Sequence, residues 1–307
     1  FAIMSGQYRK VLVGGVEKMC DRWEKIRDDL MLLEDPWSYY AGGTPEANHE
    51  LMLREYIRKH GIEGSSMDKL NAALAYIAVK NHLNASKNEY AQFRFPLSEE
   101  KILASRNSSG RLLGRYDFAP ISDGATALIL TDSDTAKDLG IEGVAVLGFF
   151  SATDYIMFPS REDRTGFTAC KIAMDGALKT SGIERKDIAL LETYDQSTLL
   201  EMISLEDLGF YDKGEGWKHI YESYEDRTLH YEFNGGRLYV NTDGGLKADG
   251  NPLGATGGAQ VYEVFKQLRG EAGERQIRFE KEPSYGCILE LEGFGTKAYV
   301  HLFGRLQ

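Results

Sequence analysis

Cysteine is scarce in this sequence of 307 residues, which contains Cys20, Cys170 and Cys287. The three lie far apart, and none belongs to a Cys-x-x-Cys pair or to a cysteine and histidine pattern with metal-ligand spacing. This usage argues against a disulfide framework and against a zinc site, so we expect no metal in this chain. A reducing, cytoplasmic location fits such a composition best.

Positive charge and long apolar runs are also lacking. The chain has 36 Lys and Arg residues against 47 Asp and Glu residues, which gives a formal net charge of −11 at pH 7. Nucleic-acid surfaces cluster Lys and Arg against phosphates, so no nucleic-acid partner is expected. A membrane helix needs about 20 apolar residues, and a run such as Val144 to Phe150 is far shorter. We therefore expect a soluble protein without a membrane partner.

Apolar runs alternate with helical periodicity along most of the chain, which is typical of an α/β fold with a central sheet. Helices are predicted at Pro45 to His60, Ser66 to Asn84, Thr168 to Ser181, Thr198 to Leu208 and Gly257 to Arg269. Strands are predicted at Val11 to Val13, Ala125 to Leu130, Val144 to Phe149, Ile188 to Leu191, Cys287 to Leu291 and Lys297 to Phe303. Strands made of continuous apolar residues are expected to be covered on both faces.

Two segments lack a clear period. Residues Cys20 to Gly43 gather Trp23, Trp37 and Tyr40 around a proline and two glycines, which predicts a long loop that covers a ligand. Phe93 to Arg115 is polar and is predicted to be irregular. We place a domain boundary between residues 143 and 144, with a covering region of about residues 20–115 in the first half and residues 144–307 as the second half.

Three stretches in order resemble the thiolase superfamily, especially its sterol-carrier-protein-x-like and archaeal acetyl-CoA acetyltransferase-like branch. Residues 5–19 resemble the helix and strand that follow the family's nucleophile. Residues 119–125 resemble its aspartate-glycine turn before a core strand. The stretch Asn241 to Gly257 is similar to its glycine-rich loop, Gly-His-Pro-x-Gly-Ala-Thr-Gly.

The resemblance implies a layered α-β-α-β-α architecture with two related halves, the first of them incomplete at its N-terminus. It also implies a coenzyme A thioester as substrate, a role in lipid metabolism and a homodimer. A small zinc-ribbon and OB-fold protein is a frequent partner in this branch. The family's nucleophilic cysteine precedes the segment that resembles residues 5–8, so it is expected upstream of Phe1.

This sequence departs from the family at the residues that transfer protons. Asn251 stands where the glycine-rich loop has histidine, Tyr194 replaces the oxyanion-binding histidine of a His-Asp-Cys-Phe stretch, and Gln196 replaces its cysteine. An amide does not usefully accept a proton at neutral pH, but it donates hydrogen bonds. We expect these three side chains to stabilise negative charge on a thioester oxygen, and Tyr194 is an acid or base if its pKa is lowered. The alternative for Tyr194 is a core tyrosine bonded to backbone.

Small residues of the glycine-rich loop are the candidates for binding the thioester. Gly250, Gly254, Ala255, Thr256 and Gly257 let the backbone approach a ligand, and a helix that follows them offers free N–H groups. The alternative is a plain strand-to-helix turn.

Further candidates rest on weaker signals. Arg161 lies in a charged run and is a candidate contact for the phosphates of coenzyme A. Cys287, with Glu290, lies near the position of the family's second active cysteine, although neither fits its Cys-x-Gly pattern. The alternative for Cys287 is a small buried apolar residue.

Three functions remain open at this point. The first is a thiolase-type acyltransferase (a transferase such as an acetyl-CoA acetyltransferase) that makes or cleaves a β-ketoacyl-CoA. The second is a retro-aldolase that cleaves a β-hydroxyacyl-CoA with Tyr194 as the base. The third is a non-catalytic subunit that supports an active acyltransferase partner.

Overall fold

The computed structural model describes residues 1–23, 25–281 and 283–306, which fold into layers of helix and sheet. The strands are β1 (Lys10–Lys18), β2 (Asp123–Thr131), β3 (Val144–Thr153), β4 (Ile188–Glu192), β5 (Tyr231–Phe233), β6 (Gly236–Val240), β7 (Tyr285–Glu292) and β8 (Lys297–Arg305). The helices are α1 (Ile26–Glu34), α2 (Pro36–Tyr40), α3 (Pro45–His60), α4 (Ser65–Ala85), α5 (Glu99–Ser109), α6 (Ser133–Asp138), α7 (Thr168–Ser181), α8 (Thr198–Asp207), α9 (Gly216–Asp226), α10 (Gly245–Ala248) and α11 (Leu253–Arg269). The predicted layered α/β fold is confirmed.

A six-stranded mixed sheet in the order β3-β8-β7-β4-β6-β5 forms the centre of the second half. Strand β4 is parallel to both β6 and β7, and the other pairs are antiparallel. Successive residues of β7 alternate between its two faces. Leu289 joins the large core formed with α4, α7 and α8, whereas Ile288 packs with Val264 and Leu268 of α11. Both faces of the central strands are therefore covered.

The helix α11 lies between this sheet and a second, two-stranded sheet, in which β1 and β2 pair antiparallel. Only the face toward α11 is covered within the described residues. Leu12, Val16 and Ile129, which alternate onto the other face, are exposed. The prediction of a buried first strand and of a second strand covered on both faces is therefore wrong for the described chain.

The two-stranded sheet approaches the start of α11 closely at glycines of both elements. A Cβ added to Gly15 would lie 2.0 Å from the carbonyl oxygen of Gly254, and one on Gly258 would lie 2.1 Å from Thr126 Oγ1. No side chain larger than hydrogen fits at these crossings. The glycines of β1 and α11 thus set how closely the sheet approaches the glycine-rich loop.

The segment expected to be a covering loop is instead largely helical. It contains α1 and α2, and Asp35 caps α2 by accepting a hydrogen bond from the Trp37 N–H, with Pro36 in the first helical position. Trp37 and Tyr40 are exposed rather than clustered. The stretch predicted to be irregular contains α5, which ends at Gly110 in the left-handed conformation.

The predicted helices and strands outside these segments are all present, with ends shifted by a few residues. The helix predicted from Gly257 begins four residues earlier, at Leu253, so the small residues of the glycine-rich loop form its first turn. The helix α9 and the hairpin of β5 and β6 were not predicted. The domain boundary at residue 143 stays a prediction, although every strand of the six-stranded sheet follows it.

The close crossing predicts that Gly15→Ala destabilises the fold. The added methyl group would displace the backbone of Gly254, and overpacking of this kind costs about 1–3 kcal/mol. The control is Gly14→Ala, because the nearest atom to its added Cβ is the Thr126 carbonyl oxygen at 3.7 Å. Urea unfolding of both variants measures the difference. Equal stability of the two variants would contradict the prediction.

Candidate functional site

Side chains from three chain segments meet at the carboxyl ends of the parallel strands. Tyr194 follows β4, Glu290 lies near the end of the parallel strand β7, and Asn251 lies two residues before the start of α11. The carboxyl edge of parallel strands is where α/β proteins usually bind ligands. The sheet therefore brings together residues that are far apart in the sequence.

Tyr194 and Asn251 are in direct contact. The Asn251 Nδ2 donates to the Tyr194 hydroxyl oxygen at 3.3 Å, while the Thr256 hydroxyl donates to the Asn251 Oδ1 at 2.9 Å. The Asn251 backbone N–H donates to Ser122 Oγ at 2.9 Å. These bonds fix the amide so that its donor side points toward the phenol. Both side chains are buried.

Tyr194 is held in its protonated form. Burial raises the pKa of its phenol, and the nearby negative charge of Glu290 raises it further. Its oxygen accepts a bond from Asn251, and no described residue accepts a bond from its O–H. A buried, uncharged O–H without an acceptor is suited to donating to a substrate oxygen. Burial thus does not meet the condition of a lowered pKa under which we expected Tyr194 to act as an acid or base.

The glycine-rich loop is shaped by steric requirements at each small residue. Gly250 has a φ of +131°, and an added Cβ would lie 2.9 Å from Ser122 Oγ. An added Cβ on Gly254 would lie 3.0 Å from the Val16 carbonyl oxygen. Gly254 lies in the first turn of α11, where the first N–H groups lack a partner within the helix, although the Ala255 N–H donates to the Pro252 carbonyl oxygen at 2.7 Å. The site thus combines side-chain donors with the positive end of a helix.

The first part of the same motif, residues 241–249, has a structural role. Asn241 has a φ of +55°, and its Oδ1 accepts from the Thr193 N–H at 2.9 Å. Asp195 accepts from the Leu246 N–H at 2.6 Å and from the Lys247 N–H at 3.3 Å. These bonds attach the loop to the end of β4, next to Tyr194.

A group of buried carboxyls lies behind this loop, around a cavity of about 10 Å³, enough for about one water molecule. Glu192 and Glu263 both accept from the Thr242 hydroxyl, at 2.8 and 2.9 Å. Burial raises the pKa of Asp243 to about 6 and the pKa of Asp249 well above its usual range. Within the described residues, no group of three or more His, Cys, Asp or Glu is arranged to hold a metal ion.

Three other sequence candidates lie apart from the Tyr194 and Asn251 contact. Gln196 is half-buried, and its backbone carbonyl accepts from Ala119. Cys287 is fully buried in the core opposite α11, and burial raises the pKa of its thiol, so the structure does not bring a reactive thiol to the site there. Arg161 is buried against the rings of Phe158, Phe167 and Phe294, rather than on the surface.

Two buried groups near the site were not predicted from the sequence. His49 Nδ1 lies 2.8 Å from Ser197 Oγ, and burial lowers the pKa of His49 to about 3, so its ring is neutral. Glu34, at the end of α1, accepts a bond from Asn48 at 2.8 Å, and burial raises its pKa to about 7. Glu34 is also close enough to raise the pKa of Tyr194. The composition around Glu34 is typical of a loop, so the sequence did not indicate that this residue lies in a helix.

No helix among the described residues is both long enough and apolar enough to cross a membrane.

Comparisons with known proteins indicate the family and the fold of this chain. Residues 151–305 match the family described as Thiolase C-terminal domain-like. The chain is 35% identical to an acetyl-CoA acetyltransferase of Methanothermobacter thermautotrophicus, over 99% of this chain and 75% of that protein. It is 34% identical to sterol carrier protein 2 of Oryctolagus cuniculus, over 90% of this chain and 50% of that protein. The solved structure of the Ltp2-ChsH2(DUF35) aldolase has the same fold, with a TM-score of 0.73 at 22% identity, over 99% of this chain and 74% of that chain.

The raised pKa of Glu34 predicts a stability that falls as the pH rises. The folded state binds the Glu34 proton more tightly than the unfolded state does. The free-energy cost of burying the ionised carboxylate is therefore absent below pH 4.5 and complete above about pH 7. A shift of this size corresponds to about 3 kcal/mol at pH 8. Glu34→Gln removes the charge and keeps an oxygen that accepts from Asn48.

Urea unfolding at pH 5 and pH 8 measures this effect. Glu34→Gln should gain more stability at pH 8 than at pH 5, whereas Glu63→Gln, at an exposed position, should change little at either pH. An equal gain for Glu34→Gln at both pH values would show that the charge of Glu34 carries no such penalty.

Proposed function

This chain belongs to the thiolase superfamily, in its sterol-carrier-protein-x-like and archaeal acetyl-CoA acetyltransferase-like branch, and from that premise we propose that it makes or breaks a carbon–carbon bond in a coenzyme A thioester. The observation that carries the proposal is the contact of the Tyr194 hydroxyl with the Asn251 amide. Acyl transfer and aldol cleavage of such thioesters both pass through an oxyanion or an enolate. The Tyr194 and Asn251 pair can donate hydrogen bonds to that oxygen.

The proposed role of the pair is electrostatic. The phenol O–H of Tyr194 and the second N–H of the Asn251 amide both donate to the thioester oxygen as it gains negative charge. A preorganised donor of this kind is worth about 3 kcal/mol in the transition state. The first turn of α11 adds its N–H groups, and burial excludes water that would weaken each bond.

We propose aldol cleavage of a β-hydroxyacyl-CoA as one candidate reaction, because the described side chains offer donors for its enolate. It requires donors for the enolate and a proton-transfer group, but no acyl-enzyme. Among the described residues, Cys170 and Cys287 are buried with thiol pKa values raised by burial, and Cys20 is exposed with its pKa also raised. None of these thiols has the lowered pKa of a nucleophile.

Acyl transfer is the second candidate, and the relatives favour it. Proteins named acetyl-CoA acetyltransferase match 99% and 98% of this chain, at 35% and 32% identity. In that reaction a cysteine carries the acyl group, and Tyr194 and Asn251 keep the same role. A homodimer and a zinc-ribbon partner remain predictions, and the name of the Ltp2-ChsH2(DUF35) aldolase supports testing the partner.

The test offers the protein two substrates and identifies products by mass spectrometry. Aldol cleavage of 3-hydroxybutyryl-CoA yields acetaldehyde and acetyl-CoA, whereas thiolysis of acetoacetyl-CoA by coenzyme A yields two molecules of acetyl-CoA. Intact-mass measurement during turnover shows an acyl adduct only for acyl transfer. Turnover of neither substrate, alone or with a zinc-ribbon partner added, would favour the non-catalytic subunit instead.

Tyr194→Phe tests the role of the phenol. Loss of one oxyanion donor lowers kcat by about 100- to 1,000-fold, with folding preserved because the ring is kept. The control is Tyr90→Phe, which removes the hydroxyl of an exposed tyrosine outside the site. Undiminished turnover by Tyr194→Phe would refute the assignment of Tyr194.

A further inference from the structure

The carboxyl of Glu290 is half-buried and lies close enough to Tyr194 to raise the pKa of its phenol. Its Oε2 atom is buried and has no partner among the described residues. An unpaired buried carboxyl oxygen is costly, and a catalytic role is one reason for which such an atom is retained. The other buried carboxyls described above, Glu192, Asp195 and Glu263, all accept hydrogen bonds.

The position of Glu290 follows from the alternation of β7. Gly286 and Ile288 face α11, as shown by their packing against Val264 and Leu268. Glu290 is next on the same face and therefore lies under the first turn of this helix. A Cβ added to Gly257 would lie 3.7 Å from Glu290 Cγ, so the glycine leaves room beside the carboxyl.

This turn is the one that fixes Asn251. Thr256 precedes Gly257, and its hydroxyl binds Asn251 Oδ1 at 2.9 Å, while Asn251 binds Tyr194. Glu290 on β7, the first turn of α11 and the phenol of Tyr194 therefore lie next to one another. Glu290 is half-buried as a whole, so part of the residue is exposed although its Oε2 atom is buried.

We propose that Glu290 is the proton-transfer group of this site and exchanges a proton with the α-carbon of the bound acyl thioester. In the step, the Cα–H bond breaks, the proton passes to the Glu290 carboxylate, and the electron pair of that bond moves onto the thioester oxygen to form an enolate. Tyr194 and Asn251 donate to that oxygen. In the reverse direction the carboxylic acid returns the proton to the enolate carbon, as the last step of aldol cleavage requires.

The chemistry of the surroundings suits this role. Burial raises the pKa of the Glu290 carboxyl well above its usual range, which brings a carboxylate closer to the basicity that general bases need. Tyr194 cannot serve as this base, because its own pKa is raised. The inference rests on the function proposed above, since it places the proton of the same enolate.

The test follows deuterium incorporation into the methyl group of acetyl-CoA in heavy water, by mass spectrometry, with the full chain. We expect the protein to catalyse exchange and Glu290→Gln to lower its rate by about 100- to 10,000-fold. Glu290→Asp, which keeps a carboxyl but shortens its reach, should recover part of the rate. Binding of acetyl-CoA by the Gln variant, measured by calorimetry, should be unchanged.

The matched control is Glu292→Gln, two residues along the same strand. Glu292 is exposed and pairs with Lys297, outside the site, so its variant should exchange at the rate of the unaltered protein. If the unaltered protein catalyses exchange and Glu290→Gln exchanges at the same rate, the role of Glu290 is overturned. The proposed function would still stand. Cleavage of 3-hydroxybutyryl-CoA without any exchange would also overturn it. Failure of the proposed function is separate, and appears as the absence of both turnover and exchange.

Discussion

The buried carboxyl of Asp195 is the constraint on which the candidate site depends. It accepts hydrogen bonds from the backbone of Leu246 and Lys247 and from the side chain of Asn81 on α4. It is adjacent to Tyr194, and α10, which it holds, leads directly to Asn251. Gly245 has a φ of +60°, and a side chain there would collide with the Asp195 carboxyl. The separation of the two donors is therefore fixed by one carboxyl and one glycine.

The charges around the donor pair are arranged asymmetrically. Asn251 is neutral, Tyr194 is kept neutral by its surroundings, and His49 is neutral because it is buried. The charged groups that act on the pKa of Tyr194 are the carboxyls of Glu290, Glu34 and Asp195. Such a site can supply hydrogen bonds to a developing anion and a base for a proton, without a cation next to the reacting oxygen. It differs in this way from sites that hold an imidazole at both positions.

Much of the fold was predictable because its central elements carry strong apolar periodicity. The helix Thr168–Ser181 has the predicted bounds, and the parallel strands β4 and β7 are found within two residues of their predicted ends. The prediction for the start of the chain was wrong because its composition suggests a loop, whereas its capping residues favour helices. Proline, glycine and tryptophan around α2 suggest a loop, whereas Asp35 and Thr44 act as helix caps.

The site was only partly predictable, for a different reason. Tyr194 and Asn251 lie in motifs that the sequence displays, and the structure brings them together. His49 and Ser197 are 148 residues apart, and nothing local in either segment indicates their contact. Nothing local in the sequence indicates that Glu34 lies close enough to Tyr194 to raise its pKa. Whether a carboxyl is buried beside a phenol depends on strand alternation and helix docking, which sequence motifs do not encode.

The backbone crossing between β1 and α11 makes the outer sheet a mechanical part of the site. Because Gly15 and Gly254 touch without intervening side chains, a shift of the strand cannot be absorbed by a change of rotamer. It would be transmitted to the first turn of α11 and so to the residues that Thr256 orients. A displacement of β1 would therefore change the geometry of the Tyr194 and Asn251 pair, so this backbone contact couples the exposed outer sheet to the candidate site.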